Sequence, residues 1–149
     1  MTIAVEVPGS KSMTQRALII GALAARPVTI AGALDGDDSR ALTGILRELG
    51  VDVGWNGSRV SVTPAPFRSG GKRLDCGNGG TTIRFVAGLS LVTEGPLILD
   101  GNSRMRERTI RGLGCALRAL GVDVEYLGRE GYPPVRLQAG EIEPREVPV

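Results

Sequence analysis

Apolar positions along this chain follow two different periods. Ile3, Val5 and Val7 alternate with polar neighbours, the period-two mark of a short strand, and Pro8-Gly9 ends it. Ser10 or Ser12 can then cap a helix carrying Arg16 to Leu23. Val28 to Ile30 reads as a second strand. Leu42, Ile45, Leu46 and Leu49 fall on one face of a further helix, capped by Asp37 or Asp38 and stopped by Gly50. Val51–Val53 and Arg59–Val62 flank Asn56-Gly57 as the arms of a hairpin. A second helical stripe, Ile110, Leu113, Leu117 and Leu120, ends at Gly121. The tail EIEPREVPV has no such pattern and reads as irregular.

The same text occurs twice. GSKSMTQRALIIGALAARPVTIAG (residues 9–32) and GNGGTTIRFVAGLSLVTEGPLILDG (77–101) each open on Gly, carry Arg seven residues later, and continue through an apolar run to a strand. ILRELGVDV (45–53) and ALRALGVDV (116–124) recur in the same order. Arg16 to Arg84 is a step of 68 residues and Leu49 to Leu120 one of 71, so the second copy carries three extra residues near DGNSRMRERTI. The period predicts two units, about 9–76 and 77–140, each running strand, helix, strand, helix and two strands, packed on one another.

Composition narrows the function. The 149 residues suit one domain or a piece of a larger one. The 18 basic and 16 acidic side chains leave only +2, too little for a nucleic-acid or membrane patch by net charge alone. Aromatics at 3% leave few platforms on which bases could stack. The chain has no His, which excludes histidine bases, Ser-His triads and ordinary zinc sites within it. Cys76 and Cys115 show no metal-type spacing. The N-terminus lacks the apolar run of a signal peptide, and no stretch reaches membrane-spanning length, so a reducing, cytoplasmic location is expected.

Three polar clusters remain, and each suits an anion. In Pro8-Gly9-Ser10-Lys11-Ser12-Met13-Thr14-Gln15-Arg16 a Gly-Ser turn feeds a helix whose first N–H groups lack partners. Ser12 and Arg16 share a face there, with Lys11 at the mouth. A nucleotide-binding P-loop would need Gly where Ala4 stands. An ordinary capped helix with exposed charges is the structural explanation of the same residues. Gly77-Asn78-Gly79-Gly80-Thr81-Thr82-Ile83-Arg84 sits at the equivalent point of the second unit and builds a similar turn. In the third, Arg104, Arg108 and Arg111 have the spacing of one basic face at a helix start, which calls for an anion to oppose it. Glu107 and Arg111 could equally form a surface pair.

Taken in order, PGSKSxxxRAL, LDxDD (Leu34-Asp35-Gly36-Asp37-Asp38), GNxGTxxR, RMxER and GYPPVRLQAG resemble the 5-enolpyruvylshikimate-3-phosphate synthase family over essentially the whole chain. The resemblance implies an α/β fold of βαβαββ units, an inside-out α/β barrel with helices inside and sheets outside. About two units are present, as a partial N-terminal lobe, and the strand at 1–8 is expected to belong to the other lobe. The implied reaction moves the enolpyruvyl group of phosphoenolpyruvate to the 5-hydroxyl of shikimate 3-phosphate, with no metal or organic cofactor. By the same resemblance Lys11, Ser12 and Arg16 hold shikimate 3-phosphate, while Lys11, Gly80 and Arg108 meet phosphoenolpyruvate. Asn78, Thr81, Arg84, Asp38 and Arg104 support them.

Phe85 and Thr109 depart from the Pro that follows the matching arginines in many members, and Gly79 replaces the more usual Ala or Ser. The family's enzymes have two lobes of three units, so the carboxylates for proton transfer are expected outside this chain. The expected partners are the two small substrates, with the full-length protein a monomer and the isolated chain prone to self-association. Two other readings are a non-catalytic anion-binding fragment and the sister transferase acting on UDP-N-acetylglucosamine. Ser10 and Ser12 around Lys11, with Asp37-Asp38, speak against the latter.

Overall fold

The computed structural model describes residues 7–142 and 146. The strand expected at Ile3–Val7 lies outside them apart from Val7, as do residues 143–145 and 147–149 of the tail.

Ser10 is the residue that caps the first helix: its side chain accepts from the Met13 N–H at 3.4 Å, and α1 spans Lys11–Ala22. Strand β1 follows at Val28–Ile30, then α2 at Asp37–Glu48. Neither Asp37 nor Asp38 caps α2. Gly36 takes the extended cap backbone (φ −150°, ψ 167°), which leaves both aspartates inside the first turn. Their charges still face the positive end of the helix, where carboxylates are favoured. Leu42, Ile45, Leu46 and Leu49 are all buried, as their spacing predicts. The hairpin is present as β2 (Asp52–Asn56) and β3 (Arg59–Thr63), with Asn56 opposite Arg59 and Gly57 at φ +56° in the turn. That left-handed backbone is one that glycine adopts freely.

The second half contains β4 (Arg73–Asp75), α3 (Gly80–Leu89), β5 (Leu97–Asp100), the single-turn α4 (Ser103–Arg106), α5 (Arg111–Ala119), β6 (Val122–Tyr126) and β7 (Val135–Ala139). One sheet has the order β1-β3-β2 and the other β4-β5-β7-β6. In both, the strand before the second helical segment pairs antiparallel with the last strand of the unit, which also pairs with its hairpin neighbour. The sequence repeat is therefore a repeat of topology. β4 adds a parallel partner to β5, so the second sheet begins at Arg73, ahead of the boundary read near Gly77.

The expected basic face of Arg104, Arg108 and Arg111 does not form. The helix breaks between Arg106 and Arg111, because the Ile110 N–H goes to the Gly131 carbonyl at 2.8 Å and the Thr109 hydroxyl donates to the same oxygen at 3.1 Å. Arg104 and Arg106 stay on α4, Arg108 lies in the connection, and Arg111 opens α5. Arg111 reaches the Glu130 carbonyl rather than Glu107.

Helices α1, α2 and α3 pack on one another, and each also packs on strands. Leu18, Leu42, Leu46 and Val62 of the first unit join Ile83, Leu97, Leu99 and Leu137 of the second in one hydrophobic cluster. Burial of this kind is the main favourable term in folding, and here it is shared between the units. It fixes the starts of three helices side by side.

Candidate functional site

The mouth of α1 is held by its backbone neighbours. Gly9 lies so close to the following loop that a Cβ there would stand 2.2 Å from the Gly32 carbonyl oxygen. The Thr14 hydroxyl donates to the Ser10 carbonyl and accepts from the Leu34 N–H, both at 2.9 Å. The loop entering α2 is thereby tied to the first turn of α1, and the Lys11 ammonium sits 2.9 Å from an Asp38 carboxylate oxygen. Arg16 donates to the Ser12 carbonyl at 3.2 Å, and its guanidinium lies 5.9 Å from the centre of the Phe85 ring on α3. Lys11, Ser12, Arg16 and Asp38 thus stand together at the adjoining mouths of α1 and α2, with Ser12 and Lys11 exposed.

At α3 the glycines have separate duties. Gly77, at φ +57°, turns the chain; its N–H goes to Asp75 at 2.8 Å and its carbonyl accepts from Asn102 at 3.0 Å. Gly80, the first helical residue, leaves room for two guanidinium groups: a Cβ there would lie 3.1 Å from an Arg108 nitrogen and 3.3 Å from an Arg84 nitrogen. Arg84 donates to the carbonyls of Gly80 (2.7 Å) and Thr109 (3.3 Å), and Arg108 to that of Asn78 (3.5 Å). Among the described residues neither has a carboxylate partner. Thr81 is half-buried on the same turn. Two arginines whose charge is not neutralised, beside open N–H groups at a helix start, suit a phosphate or carboxylate.

Arg104 is exposed on α4, and the arginine there that the fold pairs is Arg106, at the variable position of RMxER. Asp100, 5% exposed at its side chain, accepts from Arg106 Nε at 2.9 Å and from a second Arg106 nitrogen at 2.7 Å. Arg73 adds a third bond at 3.1 Å. Burial raises the Asp100 pKa, but hydrogen bonds from Arg106 and the Gly101 N–H, together with the Arg106 and Arg73 charges, outweigh it and hold the carboxyl below its ordinary range. This cluster anchors the turn on which Asn102 grips Gly77. Sequence spacing missed it, and also missed Gln15, whose buried amide donates to the Thr82 hydroxyl at 2.8 Å and to the Asp38 carbonyl at 3.4 Å. The two arginine departures have local roles: Phe85 lies beneath Arg16, and the Thr109 carbonyl receives Arg84.

Cys76 is buried beneath this site, and burial, with the charges of Asp75 and Asp100, pushes its thiol up to about 12. Cys115 is exposed. Thiolate is the reactive form. A thiol reagent at pH 8 is therefore expected to label one site per native chain, Cys115, with the second thiol appearing only on unfolding. Rapid native labelling of Cys76, read by peptide mass, would contradict the packing described here. Among the described residues no three His, Cys, Asp or Glu side chains are grouped to hold a metal ion, and no helix is long and apolar enough to cross a membrane.

Comparison with known proteins gives the family and agrees with the fold. Residues 1–147 match the family model for EPSP synthase (3-phosphoshikimate 1-carboxyvinyltransferase). A 3-phosphoshikimate 1-carboxyvinyltransferase of Methanoculleus marisnigri is 42% identical over 133 residues, which cover 87% of this chain and 32% of that protein. One from Bordetella pertussis is 41% identical over 140 residues, covering 93% and 32%. Among solved structures, EPSP synthase from Acinetobacter baumannii superposes with a TM-score of 0.80 at 27% identity, over 91% of this chain and 32% of that one. The enolpyruvyl transferase NikO from Streptomyces tendae shares the fold, with a TM-score of 0.58 at 20% identity, over 86% and 29%. The chain spans about a third of the length of the curated relatives it matches. With the model matched over 147 residues, it belongs to the EPSP synthase (3-phosphoshikimate 1-carboxyvinyltransferase) family.

Proposed function

We propose that this chain forms part of a cytoplasmic enzyme that transfers the enolpyruvyl group of phosphoenolpyruvate to the 5-hydroxyl of shikimate 3-phosphate, releasing phosphate and giving 5-enolpyruvylshikimate 3-phosphate for chorismate and aromatic amino acid synthesis. One observation carries the reading: Arg84 and Arg108 flank Gly80 at the mouth of α3 without a carboxylate partner among the described residues. They stand beside a second cationic mouth formed by Lys11 and Arg16. Two adjacent anion sites suit a reaction between two anionic substrates. Ser12 and Arg16 hold shikimate 3-phosphate, Gly80 and Arg108 receive phosphoenolpyruvate, and Lys11 serves both. Asn78, Thr81 and Arg84 shape the second site, and Asp38 orients Lys11; Arg104 lends charge from α4. The protein contributes charge balance and orientation, and no cofactor enters.

In this reading, units 9–76 and 77–140 are part of one lobe, and strand 1–8 belongs with the other. Acid and base groups come from the remainder of such an enzyme. The isolated 149 residues are therefore expected to bind anions weakly, to self-associate and to release no phosphate from the substrate pair, whereas the complete protein turns over as a monomer. Steady phosphate release by the purified chain alone, free of host enzyme, would refute that division.

Arg16→Lys and Arg84→Lys separate the two subsites, since each keeps the charge but loses the planar fork. The first is expected to raise KM for shikimate 3-phosphate and the second KM for phosphoenolpyruvate, each roughly tenfold, the effect of a charge-assisted bond worth about 1.5 kcal/mol. Equal weakening of the same substrate by both variants would contradict the assignment.

A further inference from the structure

We propose that Gln15, Thr82 and Gly79 form one positioning device that sets the phosphoenolpyruvate-facing mouth of α3 against the mouth of α1. This rests on the functional reading above.

Gln15 is fully buried on α1, four residues after Lys11. Burying an amide is costly unless it is bonded. Its nitrogen spends itself on the first turns of the two neighbouring helices, at Thr82 Oγ1 (2.8 Å) and the Asp38 carbonyl (3.4 Å). Its oxygen has no partner among the described residues. An apolar side chain of similar size would fill the space without that orphan, so packing alone does not account for the amide. What the amide adds is a directed link between helices whose residues are 67 positions apart.

Thr82 is also fully buried, and it dictates Gly79. A Cβ at residue 79 would lie 2.4 Å from Thr82 Oγ1 and 2.9 Å from Thr82 Cβ. Yet the Gly79 backbone itself, at φ −78°, is open to any residue. Gly79 is therefore required by its neighbour and not by its own conformation. That gives a physical reason for glycine where the family more usually has Ala or Ser. Gly79 caps α3 and Gly80 begins it, so the link acts directly on the turn that leaves room for Arg84 and Arg108. Gln15, Thr82 and Gly79 are positioning residues: they touch no reacting atom, and a displaced α3 start moves the anion site relative to Lys11.

The test uses the protein as its gene encodes it, assayed by phosphate release with each substrate varied in turn. Gln15→Leu and Thr82→Val are each expected to raise KM for phosphoenolpyruvate about fivefold and to leave KM for shikimate 3-phosphate within about twofold. The double variant is expected to be no worse than either single one, because both remove the same link. Gly79→Ala is expected to be worse than Thr82→Ala, and Gly79→Ala/Thr82→Ala to be partly rescued relative to Gly79→Ala alone, since the second change removes the tightest contact, at 2.4 Å from the Thr82 hydroxyl, and leaves the one at 2.9 Å from the residue 82 Cβ. A purely structural role would lower the melting temperature without this split between substrates and without the rescue. Additive effects in the first pair, equal rises in both KM values, or no rescue in the second pair would overturn the proposal. If the wild type releases no phosphate from the substrate pair, the functional reading fails and takes this proposal with it. If the wild type turns over and the variants keep its KM values, the proposal alone fails.

Discussion

Replacing Lys11 with alanine is expected to lower kcat/KM of the complete enzyme by two orders of magnitude or more while leaving its melting temperature nearly unchanged. The two halves of that result come from different physics. In the free protein Lys11 is 58% exposed and pairs with Asp38 at 2.9 Å. An exposed ion pair contributes only about 0–1 kcal/mol to folding, because water screens it and two long side chains must be held in place. In the proposed complex, with anions at the mouths of α1 and α3, the same ammonium would face charges shielded from water. A charge-assisted bond to such a group is worth about 1.5–3 kcal/mol, and the neighbouring charge left without a partner adds to the loss. At 1.4 kcal/mol per factor of ten, the sum exceeds a hundredfold. Lys11→Arg is a useful companion, since it restores charge but not the compact point of charge that fits between Ser10 and Ser12. Near-normal kinetics of Lys11→Ala in a folded protein would remove Lys11 from the proposed site.

The largest expected effect on stability is at Asp100. Asp100→Asn breaks the paired bonds from Arg106 and weakens the one from Arg73, leaving both arginines half exposed and able to rehydrate. The loss is therefore set nearer that of charge-assisted hydrogen bonds than that of a fully buried ion pair, about 2–4 kcal/mol. For a domain of this size that corresponds to a fall in melting temperature of roughly 5–10 °C. The pH dependence follows from the direction of the Asp100 shift. Its pKa is lower in the folded protein than in the unfolded chain, so protons bind preferentially to the unfolded state. The stabilisation is complete above the unfolded pKa of about 4 and is lost as the pH falls from there through the folded value. Urea unfolding of wild type and Asp100→Asn at a series of pH values is expected to give a constant gap above about pH 5 that narrows below pH 4. A gap that widens on acidification would contradict the shift. Because the Asp100 turn also holds Gly77 through Asn102, the variant is expected to weaken phosphoenolpyruvate binding as well.

Much of this protein was legible in its sequence because the relevant forces are local. The stripe Leu42, Ile45, Leu46 and Leu49 predicted a buried face and is one, since residues three and four apart share a helix surface. Asn56-Gly57 predicted the hairpin, because a turn that tight needs a left-handed glycine. The recurrence of Gly…Arg and LGVDV predicted two units, and two sheets with matching strand pairing carry them. The motifs around Lys11 and Gly80 pointed to family and anion chemistry, since exposed N–H groups at a helix start are set by chain direction alone.

Tertiary structure decided what spacing could not. Arg104, Arg108 and Arg111 have helical spacing, but the Gly131 carbonyl, more than twenty residues downstream, takes the Ile110 N–H and ends that helix. Gly36 rather than an aspartate caps α2, because the loop that Thr14 holds enters the helix there in extended form. The partners that position the candidate site lie far apart in the chain: Lys11 with Asp38, Asp100 with Arg73, Gln15 with Thr82. The sequence determined by itself the buried stripe of α2, the hairpin turn and the two-unit repeat, because backbone geometry and side-chain periodicity act over a few residues. Which of those ends meet, and which polar side chains lock them together, was decided only when the shared core brought α1, α2 and α3 into contact, because burial is non-directional and only packing selects the partners.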